Sequence, residues 1–116
     1  MVKLFFFIKR KEGMSLEDFH RHWREEHSKL VTEHTGQYLL RYEQNHRLPA
    51  DYERGEPEFD GVAVEWFASK DDFYAMATDP AYREHLYPDE LSFLDHKGSR
   101  WILTEEPDVF VDKVSG

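Results

Sequence analysis

The chain has 116 residues, no cysteine and a formal net charge of −9, with 40% hydrophobic and 34% charged residues. This is the balance of a soluble globular chain with enough material for one core, so a single domain over residues 1–116 is expected. The negative charge argues against nucleic acid and anionic membranes as partners, because phosphate binding needs clustered Lys and Arg, and the lack of cysteine excludes disulfides, thiol catalysis and thiolate metal sites.

Residues 2–8 are an apolar run rich in Phe, with Lys3 as its one charged member, closed by Lys9-Arg10-Lys11-Glu12-Gly13. The run is too short for a signal peptide or a transmembrane helix, and a cytoplasmic location is expected. A half-exposed strand would alternate, so this pattern predicts a strand covered on both faces. Residues 15–34 then predict a long amphipathic helix. Ser15 and Asp18 have the spacing of a capping box, Met14 and Phe19 that of a hydrophobic staple, and Gly36 stands where a left-handed cap would close the helix. Leu16, Phe19, Trp23, His27, Leu30 and Val31 form one apolar stripe, which places a titratable imidazole on the buried face.

Residues 37–47 read as a second strand, and residues 48–59, with two prolines, a glycine and many charges, as an exposed loop. Residues 60–67 are a third strand, interrupted by Glu65. Ser69-Lys70-Asp71-Asp72 repeats the capping pattern and opens a helix through Ala77. Asp79-Pro80 starts another helix, expected to run to about Leu86 before Pro88 interrupts it, with a last turn or two over residues 89–94. A turn at 95–98, a fourth strand at 99–104 and a tail follow, and Val109-Phe110-Val111 of the tail is a candidate for edge pairing.

Strand, helix, strand, then strand, helices, strand is the order of a ferredoxin-like α+β sandwich, whose helices cover one sheet face. The first strand is apolar on both sides, so the opposite face also needs a cover. A homodimer packing sheet against sheet supplies one, and the C-terminal tail is the alternative.

The chain resembles the EthD-like proteins of the dimeric α/β-barrel superfamily. The resemblance is carried by the first strand, Gly13-Met14-Ser15-Leu16-Glu17-Asp18-Phe19, Trp23, Glu26-His27 and Leu30-Val31. It continues through residues 60–67, Asp79-Pro80-Ala81-Tyr82 and residues 89–95. Characterised members include fungal dehydratases and decarboxylases of aromatic polyketide pathways. The wider superfamily holds cyclases, muconolactone-type isomerases and cofactor-free monooxygenases, and fold kinship does not choose among them. The resemblance implies a pocket between the sheet and the long helix, matches His27 to the family's helix histidine, and implies neither metal nor organic cofactor.

His27 is therefore the expected general acid/base, since an imidazole titrates near neutral pH and apolar surroundings favour its proton-accepting form; the alternative is a hydrogen-bonded core histidine. Strand alternation puts Glu65 with Ala63 and Phe67, opposite Val64 and Trp66. On the helix-covered face Glu65 would approach His27, whereas on the dimer face it would be a structural contact. Asp95 is the other candidate partner of His27, in a turn it shares with His96. Trp23, Tyr42, Trp66 and His96 are the candidate substrate contacts, Tyr42 because a buried hydroxyl must find a partner. His22 and Glu26 have the spacing of a two-ligand face, but no third ligand is positioned, so no metal is expected. The glycine motifs of nucleotide binding and the Gly-x-Ser-x-Gly of serine hydrolases are absent. A cofactor-free lyase or isomerase acting on a small oxygenated cyclic or aromatic substrate is the leading expectation. A cofactor-independent monooxygenase and a non-catalytic ligand-binding dimer stand beside it.

Overall fold

The computed structural model describes residues 1–114. Strands β1 (Val2–Ile8), β2 (Arg41–His46), β3 (Gly61–Phe67) and β4 (Arg100–Thr104) form one antiparallel sheet in the order β2-β3-β1-β4, the ferredoxin-like arrangement the element order predicted. β1 is central, pairing Phe5 with Val64 on one side and with Ile102 on the other. Its strand neighbours take its backbone groups, and its side chains divide between two faces. Leu4, Phe6 and Ile8 point with Ala63, Glu65 and Tyr42 towards the helices; Phe5 and Phe7 point with Val64, Trp66 and Ile102 to the other side.

The long helix runs without a break from Leu16 to Thr35 but is not uniform. α1 (Leu16–Arg21) opens into a π-helical stretch, His22–His27, and closes again as α2 (Ser28–Thr35). Ser15 caps it as expected, its hydroxyl accepting from the Asp18 backbone N–H at 3.0 Å, while the Asp18 carboxylate turns away to Arg21. Phe19, Trp23, His27, Val31 and Thr35 are all buried, at strict intervals of four. In an α-helix each such step drifts by roughly 40°, since residues follow one another at about 100°. The wider π turn takes up that drift and keeps the five on one face. The Ser28 N–H accordingly reaches back to the Trp23 carbonyl.

The second helical region repeats the device. After α3 (Lys70–Thr78), Asp79 caps the next helix through the Ala81 N–H; a π-helical stretch, Tyr82–Leu86, leads directly into α4 (Tyr87–Phe93). Pro88 was expected to interrupt here. Instead the wide turn, with the Tyr87 N–H bonded to the Tyr82 carbonyl, carries the helix across the proline.

Three local expectations are corrected. Gly36 is right-handed, at φ −55°, and leads into a 3₁₀ turn (Gly36–Tyr38) that delays β2 to Arg41. Ser69 has the extended conformation of a cap, but its hydroxyl makes no capping bond; only its backbone carbonyl meets Asp72. Residues 109–111 join no strand, and Val109, Phe110 and Val111 are exposed, because the chain leaves the sheet after Thr104 without turning back along an edge. Among the described residues no helix is long and apolar enough to cross a membrane.

Candidate functional site

A cavity of about 300 Å³ lies between the inner face of the sheet and the helices, and both π-helical stretches border it. Its walls are mostly apolar, with Phe6, Trp23, Val31, Leu86 and Phe93 prominent. Trp23, only 1% exposed, packs against Phe19 and against the ring of His46.

His27 lines this cavity from the first π stretch. Its Nδ1 lies 2.8 Å from Asp89 Oδ2, and its ring packs on Phe93 at 5.1 Å. A carboxylate accepts, so the Nδ1 proton is donated to Asp89 and Nε2 is left as the basic nitrogen. Nε2 has no hydrogen-bond partner among the described residues. Asp89 also receives His22 Nε2, at 2.9 Å from Oδ1, and His22 Nδ1 in turn meets Glu26 at 2.5 Å. Burial raises the Asp89 pKa, but the bonds from His27 and His22 outweigh it and hold the carboxyl below its ordinary range.

Glu65 faces the helices. It lies in β3 directly across from Tyr42 and Leu4, lines the cavity, and makes no hydrogen bond to a described residue. Burial, reinforced by the Glu90 carboxylate, pushes it up to about 7, so at neutral pH it is poised between acid and carboxylate. Glu90 itself is nearly inaccessible and fully engaged. The Tyr82 hydroxyl lies 2.8 Å from both its oxygens, and His96 Nε2 lies 3.0 Å from Oε1. That bond to Glu90 raises the His96 pKa, against the opposing effect of burial.

Of the residues singled out from sequence, the cavity thus brings together His27, Glu65, Trp23, Tyr42 and His96. Two others lie elsewhere. Asp95 closes its own turn, accepting the Gly98 N–H at 3.0 Å, and does not reach His27. Trp66 is on the opposite sheet face, between the Lys3 ammonium at 5.0 Å and the Arg41 guanidinium at 5.3 Å. Sequence reading missed Asp89, Glu90 and Tyr82, all placed by a helix that Pro88 had been expected to interrupt. Tyr82, Leu86 and Glu90 recur at steps of four, as Trp23 and His27 do in the first π stretch.

His22 and Glu26, the pair with metal-ligand spacing, are bonded to each other, and the second His22 nitrogen is taken by Asp89. The described residues contain no group of three or more His, Cys, Asp or Glu arranged to hold a metal ion.

Residues 11–97 match the EthD domain. Dehydratase aurZ of Gibberella zeae is 31% identical over 101 residues, a match covering 78% of this chain and 66% of that protein; the chain therefore spans slightly less than two thirds of this relative. Among solved structures, an EthD family protein from Bacillus halodurans superposes with a TM-score of 0.69 at 18% identity, over 92% of this chain and 99% of that one. A dimeric protein of ferredoxin-like fold from Bacteroides fragilis gives a TM-score of 0.66 at 14% identity, covering 90% and 95%. These two likenesses establish the fold.

Proposed function

The chain belongs to the EthD domain family, and on that premise we propose that it is a cofactor-free lyase of the dehydratase kind, acting by proton transfer on a small oxygenated cyclic or aromatic substrate. The observation that carries this reading is the 2.8 Å bond from His27 Nδ1 to Asp89, which leaves Nε2 unbonded in an apolar cavity that also holds the unpartnered Glu65. The likeness to a fungal dehydratase supports it.

In the proposed reaction His27 Nε2 takes a proton from the carbon beside a carbonyl. The electron pair left on that carbon forms the new C=C bond as the neighbouring C–O bond breaks. Glu65, in its acid form, gives the departing hydroxyl a proton, and water leaves. Asp89 stabilises the imidazolium, and return of its proton to Glu65 resets the site. Protonated below about pH 7, Glu65 has the affinity for a proton that this task needs. On a substrate with no leaving hydroxyl, the same base and acid would move a proton and isomerise it. Trp23 and the other aromatic walls would hold a flat substrate, with Tyr42 and His96 meeting its oxygens.

The outer sheet face, with Phe5, Phe7, Val64, Trp66 and Ile102, is proposed as the homodimer interface. Ile102 is 52% exposed in the single chain, and the Bacteroides fragilis relative is dimeric.

The test is a turnover screen of hydroxylated cyclic ketones and phenolic precursors, followed by the absorbance of the conjugated product with dissolved oxygen monitored in parallel. Product formed at constant oxygen supports the lyase. Oxygen consumed in proportion to product would replace it with a monooxygenase.

A further inference from the structure

The inner face of β2 carries a chain of polar side chains that the proton transfer above leaves unused. One end is fixed by the Trp23 backbone carbonyl. A carbonyl only accepts, so the Gln44 group 2.7 Å from it is the amide nitrogen. The second hydrogen of that nitrogen goes to the Tyr42 hydroxyl oxygen at 2.8 Å. Gln44 Oε1 then faces His46 Nε2, also at 2.8 Å. An amide oxygen cannot donate, so His46 carries its proton on Nε2. Burial, aided by the charges of Arg24 and His20, holds the His46 ring down to about 4, so its Nδ1 is unprotonated and accepts at neutral pH. His20 Nδ1 meets that acceptor at 2.7 Å. The far nitrogen of His20 and Asp60 Oδ1 lie 2.9 and 2.8 Å from the hydroxyl of Tyr52, which sits in the 3₁₀ segment Pro49–Arg54. The Arg10 backbone N–H anchors the other oxygen of Asp60 at 2.8 Å.

We infer that this chain is a positioning device for Tyr42: because its oxygen accepts from Gln44, the Tyr42 proton is left to donate into the cavity, to a carbonyl or similar acceptor oxygen of the bound ligand. The inference rests on the reading of the cavity as the ligand site. The other hydroxyls in the wall are engaged, Tyr82 with Glu90 and Ser99 with the Asp95 carbonyl, and Tyr42 makes no hydrogen bond to Glu65 across the strand pair among the described residues. Gln44, His46 and His20 act through Tyr42 and touch no ligand themselves. Their arrangement favours a ligand that offers a lone pair at that point over one that offers a further N–H or O–H.

The experiment uses two probes of nearly the same shape, 1-tetralone and tetralin, which differ by one carbonyl oxygen. Their affinities are measured for the wild type, Tyr42→Phe and Gln44→Leu. The preference for tetralone over tetralin should fall roughly fivefold to tenfold in both variants, the worth of one net hydrogen bond. Tetralin binding should persist, and the carbonyl stretch of bound tetralone should lose its red shift. Tyr42→Phe removes only a hydroxyl, so it keeps the test intact if Gln44→Leu does not fold. Independently of any ligand, long-range ¹H–¹⁵N correlation at pH 7 should find His46 neutral with its proton on Nε2. An unchanged preference in Tyr42→Phe, or a proton on His46 Nδ1, overturns the inference. Failure of the wild type to bind either probe would instead strike at the cavity reading, and would take the positioning role with it.

Discussion

His27 and Asp89, sixty-two positions apart, meet at 2.8 Å between Nδ1 and Oδ2. The contact fixes the tautomer of the imidazole, and the proposed base depends on it. Asp89→Asn keeps the shape but presents an amide N–H as readily as an oxygen, which favours the tautomer with its proton on Nε2. Turnover should drop roughly a hundredfold, in the range expected when proton transfer is impaired, with far-UV circular dichroism unchanged. Full activity in this variant would remove Asp89 from the account.

Glu65 supplies a pH signature. Its ordinary value of 4.5 is raised to about 7 by burial and by Glu90. A carboxyl that binds its proton more tightly when folded stabilises the fold fully at low pH. That contribution is lost as pH rises from the unfolded value through the folded one, after which stability is level. Glu65→Gln should therefore match the wild type at pH 4 and exceed it at pH 8, by up to roughly 3 kcal/mol, in denaturant titrations. Activity should fall on an alkaline limb near pH 7 as Glu65 loses its proton, and in Glu65→Gln turnover should be low at every pH. Equal stabilities at pH 4 and 8 would show that Glu65 is not held in its acid form.

Gly61 leaves room for Trp23. A Cβ at this position would stand 2.5 Å from Trp23 Cζ3 and 2.8 Å from the Asn45 carbonyl oxygen. Neither can retreat easily, since the indole is buried and the carbonyl is backbone of the neighbouring strand. Gly61→Ala should cost roughly 1–3 kcal/mol and lower the melting temperature, with altered tryptophan fluorescence. An unchanged melting temperature would mean that the cavity wall is softer than its packing indicates.

The outer sheet face makes a simple prediction about assembly. Ile102→Glu places a charge where two copies would meet across a two-fold axis and puts the same charge opposite it. The wild type should sediment as a dimer at micromolar concentration and the variant as a monomer with an intact fold. A monomeric wild type would reject the interface.

Much of the fold was legible because caps and alternation are local. Ser15, Asp79 and the apolar runs at 2–8 and 61–67 announced their elements. Alternation paired Glu65 with Ala63 and Phe67, yet could not say which face the helices cover, because that depends on packing far along the chain. The misread parts have separate causes: Gly36, Ser69 and the 109–111 tail turn on local backbone geometry, Trp66 on which sheet face the helices cover, and Asp89, Glu90 and Tyr82 on how helices pack together. Intervals of four, in Phe19, Trp23, His27, Val31 and Thr35 and again in Tyr82, Leu86 and Glu90, are also ordinary α-helical spacing, so nothing local announced the π-helical turns. Asp89 stands in the expected last helical turn, but its approach to His27 is a contact between two helices 62 positions apart, which no local pattern announces; Asp95, in the turn before β4, was the candidate instead.

The most direct measurement is the dehydration rate of the wild type beside His27→Ala and His27→Gln, on a substrate identified in the turnover screen. Melting temperature and ligand binding are recorded for the same samples. Both variants should remain folded, still bind, and lose at least about a hundredfold in turnover. Full turnover in either folded variant would contradict the proposed acid/base role and leave His27 a packing residue held by Asp89.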